Sequence, residues 1–191
     1  VCAGTHLLSI AGLSYYCAAP QALQENAFSW EPLREVALIF VGIFGTMIPA
    51  LTLISAFAGS ETGRSLITPH TLYWGTGTFS SILDNAPTYL TFLAASMAAQ
   101  GVDVGVLTEV QQFAAGDVGV HSILQLKAIA LASVCFGAMT YIGNGPNFMV
   151  KAIAEHLGVR MPSFFAYILY FSVPILLPAL VVVWWLFFCL T

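Results

Sequence analysis

The sequence predicts an all-α integral membrane fold: transmembrane helices plus two apolar stretches that are each broken by a polar turn. Three observations carry that expectation. Charges are scarce, apolar runs are long, and the breaks at Asp84-Asn85-Ala86-Pro87 and Gly143-Asn144-Gly145-Pro146 fall inside such runs. Of 191 residues, 59% are hydrophobic and 7% charged, with a mean hydropathy of +0.87. Soluble domains carry about a quarter charged residues, and one this apolar exposes patches that water-soluble proteins avoid. A bilayer is the expected solvent.

Five Lys and Arg against nine Asp and Glu leave a formal charge of -4 and no basic footprint for nucleic acid. Cys2, Cys17, Cys135 and Cys189 form no CxxC pair and read as small buried thiols rather than metal or redox ligands. The chain begins at Val1 and closes on Leu190-Thr191 directly after an apolar run, so a portion of a longer protein is expected.

Residues 1–32 read as an unplaced N-terminal helix and an interfacial loop. The helix, from His6 to Ala19, is short for a span. The loop, from Pro20 to Pro32, holds Glu25, Asn26 and Trp30, the last suited to an interfacial aromatic belt. Residues 33–191 read as one unit that opens with a span over 34–58, with Pro49 inside it. Residues 66–101 are apolar apart from Asp84, and form either one long tilted span or a re-entrant hairpin with its tip at Asp84 to Pro87. Gly101 to Gly119, with Asp103, Glu109 and Asp117, is expected outside the bilayer. A broken helix follows over 121–157, Gly158 marks its stop, and a final span covers 163–189 with bends at Pro174 and Pro178.

The two breaks share a pattern. Asp84-Asn85-Ala86-Pro87-Thr88-Tyr89 and Gly143-Asn144-Gly145-Pro146-Asn147-Phe148 each give Asn, a small residue, Pro, a small polar residue and an aromatic. Pro removes a backbone donor and disfavours helix at the residue before it, so both segments are expected to unwind at mid-depth. Unwound backbone inside a membrane must be buried in protein or line a wet cavity. Its carbonyls and the helix ends facing it suit a hard cation.

The expected cation or proton ligands are therefore Asp84, Asn85, Thr88, Asn144 and Asn147, on a backbone shaped by Ala86, Pro87, Gly143, Gly145 and Pro146. Sodium at Asp84, Asn85 and Asn144 is the specific expectation, because oxygen sets suit hard cations. Asp84 is the only charge between Arg64 and Asp103, and a carboxylate at membrane depth costs at least a few kcal/mol. It can also simply cap the helix that follows. Proton and cation could compete for it, as an antiporter requires.

Ser80 and Ser81 lie within a turn of the tip and are candidate substrate-lining residues. Close helix packing explains the small polar run they close, with Gly75, Thr76, Gly77 and Thr78, as well as substrate contact does. His70, His121 and His156 read as interfacial. With a hairpin, Arg34, Lys151 and Arg160 fall on one side and Arg64 and Lys127 on the other; the positive-inside rule then puts the larger group in the cytoplasm. An intramembrane aspartyl protease needs a second acid, and the second break offers Asn144, so an enzyme is not expected.

Phe28 to Ala37, Gly42 to Leu51, Leu83 to Leu90 and Tyr141 to Glu155 resemble bacterial sodium:proton antiporters. More specifically, they resemble the citrate-transporter-like branch of the ion transporter superfamily, with arsenite-permease-like relatives. The resemblance covers about residues 26–190. It implies two inverted repeats, each with a re-entrant hairpin and a broken helix, of which this chain is the C-terminal one, in a multi-pass protein of the bacterial inner membrane. Its partners would be the bilayer, the missing N-terminal repeat and a second copy in a homodimer. No cofactor is implied beyond the sodium ion and proton that are carried or coupled. Family members often have Ala where this chain has Gly145. The expected activity is sodium/proton antiport. The alternatives are sodium-coupled transport of di- or tricarboxylates such as citrate, or a non-transporting membrane subunit.

Overall fold

The computed structural model describes residues 2–17, 20, 31–119 and 121–190, and every described element is helical. The expected interfacial loop with Trp30 lies outside the described residues, as does the side chain of His156. The chain divides into two compact units, Val1–Gly42 and Ile43–Thr191.

In the first unit, α1 (Cys2–Cys17) carries no charge. It exposes Leu7, Leu8, Ile10, Leu13 and Tyr16, an apolar surface without a polar stripe that suits lipid. The predicted span over 34–58 falls within α2 (Glu31–Ala58), 28 residues long, whose residues from Ile43 onward, Pro49 among them, belong to the second unit.

The second unit is built on local signals the sequence carries openly. Ser60 caps the short α3 (Glu61–Leu66) by accepting from Gly63 N at 3.1 Å. Thr68 and Thr71 form a reciprocal capping box ahead of α4 (Pro69–Ser80), and Pro69 occupies the first turn, where a missing N–H costs nothing. After Ser81 to Asp84 the chain reverses into α5 (Asn85–Ala99). The stretch over 66–101 is thus a hairpin of two packed helices rather than one long helix.

The polar loop contains an element that the composition hides. Leu107, Val110 and Phe113 recur at helical spacing, and α6 (Leu107–Ala115) buries Phe113 against Leu93 and Met97. Then come α7 (Ser122–Cys135), a 3-10 turn over Phe136–Met139, and α8 (Gly145–His156). Gly158 stops the chain as anticipated: it adopts φ 82°, and Val159 N donates back to Ala154 O at 2.9 Å.

The last helix runs continuously from Phe164 to Phe188, as a first turn α9 (Phe164–Tyr167), a π-helical stretch Ile168–Leu176 and α10 (Leu177–Phe188). Pro174 sits in the π stretch, whose wider winding accommodates a residue that cannot donate. By length and composition, Ser122–Met139 and Phe164–Phe188 can cross a membrane.

α7 is central: α4, α5 and α6 all pack on it. The Tyr73 ring meets those of Phe136 and Phe188, each at 5.4 Å between centroids, and the buried Tyr73 hydroxyl donates to Leu180 O at 2.9 Å, which fastens the last helix to the hairpin. Trp184 Nε1 donates to His70 Nδ1 at 3.2 Å, adding a second tie at the foot of α4.

Gly77 lets α4 approach this cluster, since a Cβ there would come within 2.6 Å of the Phe136 ring. Gly77→Ala is therefore expected to destabilise the protein by about 1–3 kcal/mol through overpacking, read as a lower melting temperature in detergent. An unchanged melting temperature would mean the ring is free to move aside.

Candidate functional site

Both motifs turn out to be helix beginnings rather than unwound segments. The irregular backbone lies just before each, at Ser81–Asp84 and Thr140–Asn144. Pro87 and Pro146 sit in first turns, where backbone N–H groups have no helical acceptor in any case, so Pro ends nothing there. The sequence marks the breaks, but each is displaced by one short step towards the N-terminus.

At the tip, Asp84 is the N-cap of α5, its carboxylate accepting from Asn85 N at 2.7 Å. Thr88, buried, turns its hydroxyl back to Asp84 O at 2.9 Å. Asp84 and Thr88 thus form a local cap. Asp84 is half-buried, and among the described residues the only ion pair is the exposed Lys151–Glu155. The carboxylate at the tip therefore has no fixed counter-charge among them.

Asn85 does something different. Oriented with its nitrogen toward the surrounding oxygens, its amide lies 2.7 Å from Ser133 O, 2.8 Å from Ser80 Oγ and 3.2 Å from Gly143 O. The Ser80 hydroxyl in turn donates to Ser133 O. One side chain of the first motif thereby holds the end of α4, the last turn of α7 and the start of the second motif together. Thr140 strengthens the same junction: its hydroxyl donates to Ser81 O and accepts from Gly143 N at 3.0 Å.

The break after α7 has its own set of donors. Asn147 Nδ2 reaches Gly137 O at 3.0 Å, Tyr167 Oη reaches Ala138 O at 3.1 Å, and Ser172 Oγ reaches Met139 O at 2.6 Å. These three carbonyls are engaged in this conformation, although each keeps a second lone pair; of the carbonyls in the two motifs, where a cation was expected, Asp84 O accepts from Thr88 and Asn144 O from Asn147 N. Asn144 offers its carbonyl to Asn147 N, and its side chain makes no cap bond. Gly145 has open space around it, so Ala would fit there.

The structure thus brings together Ser80, Ser81, Asn85, Gly143 and, through Gly137, Asn147. Asp84 and Thr88 stand just beside the junction, and Ala86 and Pro87 only build the turn. A cleft of about 470 Å³ between α5 and α7, lined by Asn85, Ala86, Tyr89, Ala130 and Ser133, lies beside the junction. No group of three or more His, Cys, Asp and Glu converges among the described residues. A cation here would depend on Asp84 and neutral oxygens.

Ser133, Thr140, Tyr167 and Ser172 were not singled out by sequence reasoning. Their one signal is polarity within apolar runs, which each could have spent within its own helix. Gln125 belongs with them: buried in α7, it accepts from Ser96 Oγ at 2.9 Å and donates to Ile67 O at 3.3 Å, tying the two feet of the hairpin.

A family model described as "Putative citrate transport" matches residues 1–188. The match extends over the first twenty-five residues, which the sequence resemblance left uncovered. No curated protein and no solved structure matches the chain.

The junction uses the side chain of Ser80 but only the main chain of Ser133, whose own hydroxyl returns to Ala130 O at 3.1 Å. Ser80→Ala should therefore cost about 1–2 kcal/mol, and Ser133→Ala a few tenths. Thermal melts of the two variants in detergent measure the difference, and equal losses would contradict this assignment.

Proposed function

The chain belongs to the citrate-transport family, and on that premise we propose that it forms one repeat of a secondary transporter for citrate-like di- and tricarboxylates coupled to sodium. The observation that carries this reading is the Asn85 contact to Ser133 O and Gly143 O, which seats the hairpin tip on the helix break. Elements that hold a coupled ion at a fixed depth while the surrounding bundle moves need such a rigid seat.

The arm lengths support a re-entrant hairpin. α4 has 12 residues and α5 has 15, about 18 Å and about 22 Å at the helical rise of about 1.5 Å. Neither reaches across a hydrocarbon core of about 30 Å. The tip then lies at membrane depth, where Asp84 supplies charge for sodium and Asn144 and main-chain oxygens supply neutral ligands. Hydrogen-bond donors for a carboxylate substrate would come largely from the other repeat, because Asn85, Thr140 and Asn147 spend theirs on carbonyls.

Sodium/proton antiport is the second reading, and one observation favours it. Asp84 is the only carboxylate in either motif, and no Lys or Arg falls between Arg64 and Lys127 to receive an anion.

Uptake of labelled citrate by the full-length protein in proteoliposomes separates the two. Citrate accumulation that rises with an inward sodium gradient supports the symporter. Sodium-driven proton movement without citrate supports the antiporter. Asp84→Asn should abolish sodium dependence by a factor of ten or more with little loss of fold, since Asn caps a helix about as well as Asp; full sodium dependence in that variant would leave Asp84 only its capping role. For the hairpin, cysteines introduced at residues 68 and 100 should react with an impermeant thiol reagent from the same face of the membrane, and labelling from opposite faces would rule out re-entry.

A further inference from the structure

Gly137, in the 3-10 turn after α7, is assigned no role by its sequence context, yet it touches the asparagines of both motifs. Its carbonyl accepts from Asn147 Nδ2 at 3.0 Å. Its open side faces Asn85: a Cβ there would collide with the Asn85 amide, 3.2 Å from Cγ and nearer still to the terminal atom.

Backbone conformation does not demand glycine here. The described glycines with positive φ are Gly101, Gly116, Gly119 and Gly158, and Gly137 is not among them. Alanine could adopt the same φ and ψ, so only the approach of Asn85 excludes it.

We propose that Gly137 is a positioning residue for the transport site: by lacking a side chain, it lets the Asn85 amide reach Ser133 O and Gly143 O, and so sets where the hairpin tip sits on the break. A larger residue would lift the amide from both carbonyls and from Ser80 Oγ. Gly143 makes the complementary allowance from the other side, since a Cβ on it would meet Ser80 O at 2.8 Å and Ser81 O at 2.7 Å. The two glycines let the tip and the break interlock backbone to backbone. The effect on transport rests on the function proposed above, whereas the effect on the junction does not.

The test is a double-variant cycle in the full-length protein. Gly137→Ala is expected to lower the melting temperature in detergent by roughly 3–10 °C, and to raise the sodium concentration for half-maximal transport by about tenfold or more. With Asn85→Ala already present, adding Gly137→Ala should shift the melting temperature by less than about 1 °C, because the atoms it would strike are gone. An equal drop in both backgrounds, or none in either, overturns the proposal. If Gly137→Ala alone fails to fold, recovery of folded protein in the double variant supports it and continued failure overturns it. Absence of transport in the wild type would count against the proposed function alone, since the melting cycle reads the junction directly.

Discussion

Where α7 gives way to a 3-10 turn, the carbonyls of Gly137, Ala138 and Met139 lose their helical donors, the first on a buried residue and the other two on half-buried ones. A backbone carbonyl left without a donor in an apolar medium costs several kcal/mol. Three side chains from elsewhere meet the need: Asn147 from α8, and Tyr167 and Ser172 from the last helix. The broken segment and the final span are therefore bound to each other by polar necessity, in a chain whose apolar surfaces would pack as readily against lipid.

The same constraint accounts for the hairpin tip. Ser80, Asn85 and Thr140 carry the donors at Ser81–Asp84, and their acceptors are main-chain oxygens on the facing element. Hydrogen bonds of this sort fix position and orientation, which apolar packing alone leaves loose. The aromatic cluster of Tyr73, Phe136 and Phe188 stiffens the support below, so the polar junction rests on a close-packed base.

Small residues make the geometry reachable. Gly77 admits Phe136, and Gly137 and Gly143 admit the tip. In each case the residue is defined by what it lets near. That is why the run of small residues on α4 serves packing at Gly77 and hydrogen bonding at Ser80. At neighbouring positions of one helix, Gly77 gives room to a ring and the Ser80 hydroxyl binds a main-chain oxygen of the facing helix.

From the sequence alone, the stretch over 66–101 reads as either one long span or a hairpin, whereas membrane residence, the paired Asn–small–Pro motifs and the stop at Gly158 were all legible. Each follows from local chemistry: hydropathy, proline's missing donor, or a glycine that accepts positive φ. The short helix α6 was obscured because three acidic residues dominate the composition of its loop, although its apolar spacing was present. The exact places of unwinding, the partners of Asn85 and Asn147, and the importance of Ser133, Gly137, Tyr167 and Ser172 were decided by tertiary structure. A residue's type states that it can donate or accept, or that it leaves room. Which distant carbonyl needs that donor, and which side chain needs that room, depends on helices meeting across many residues of chain.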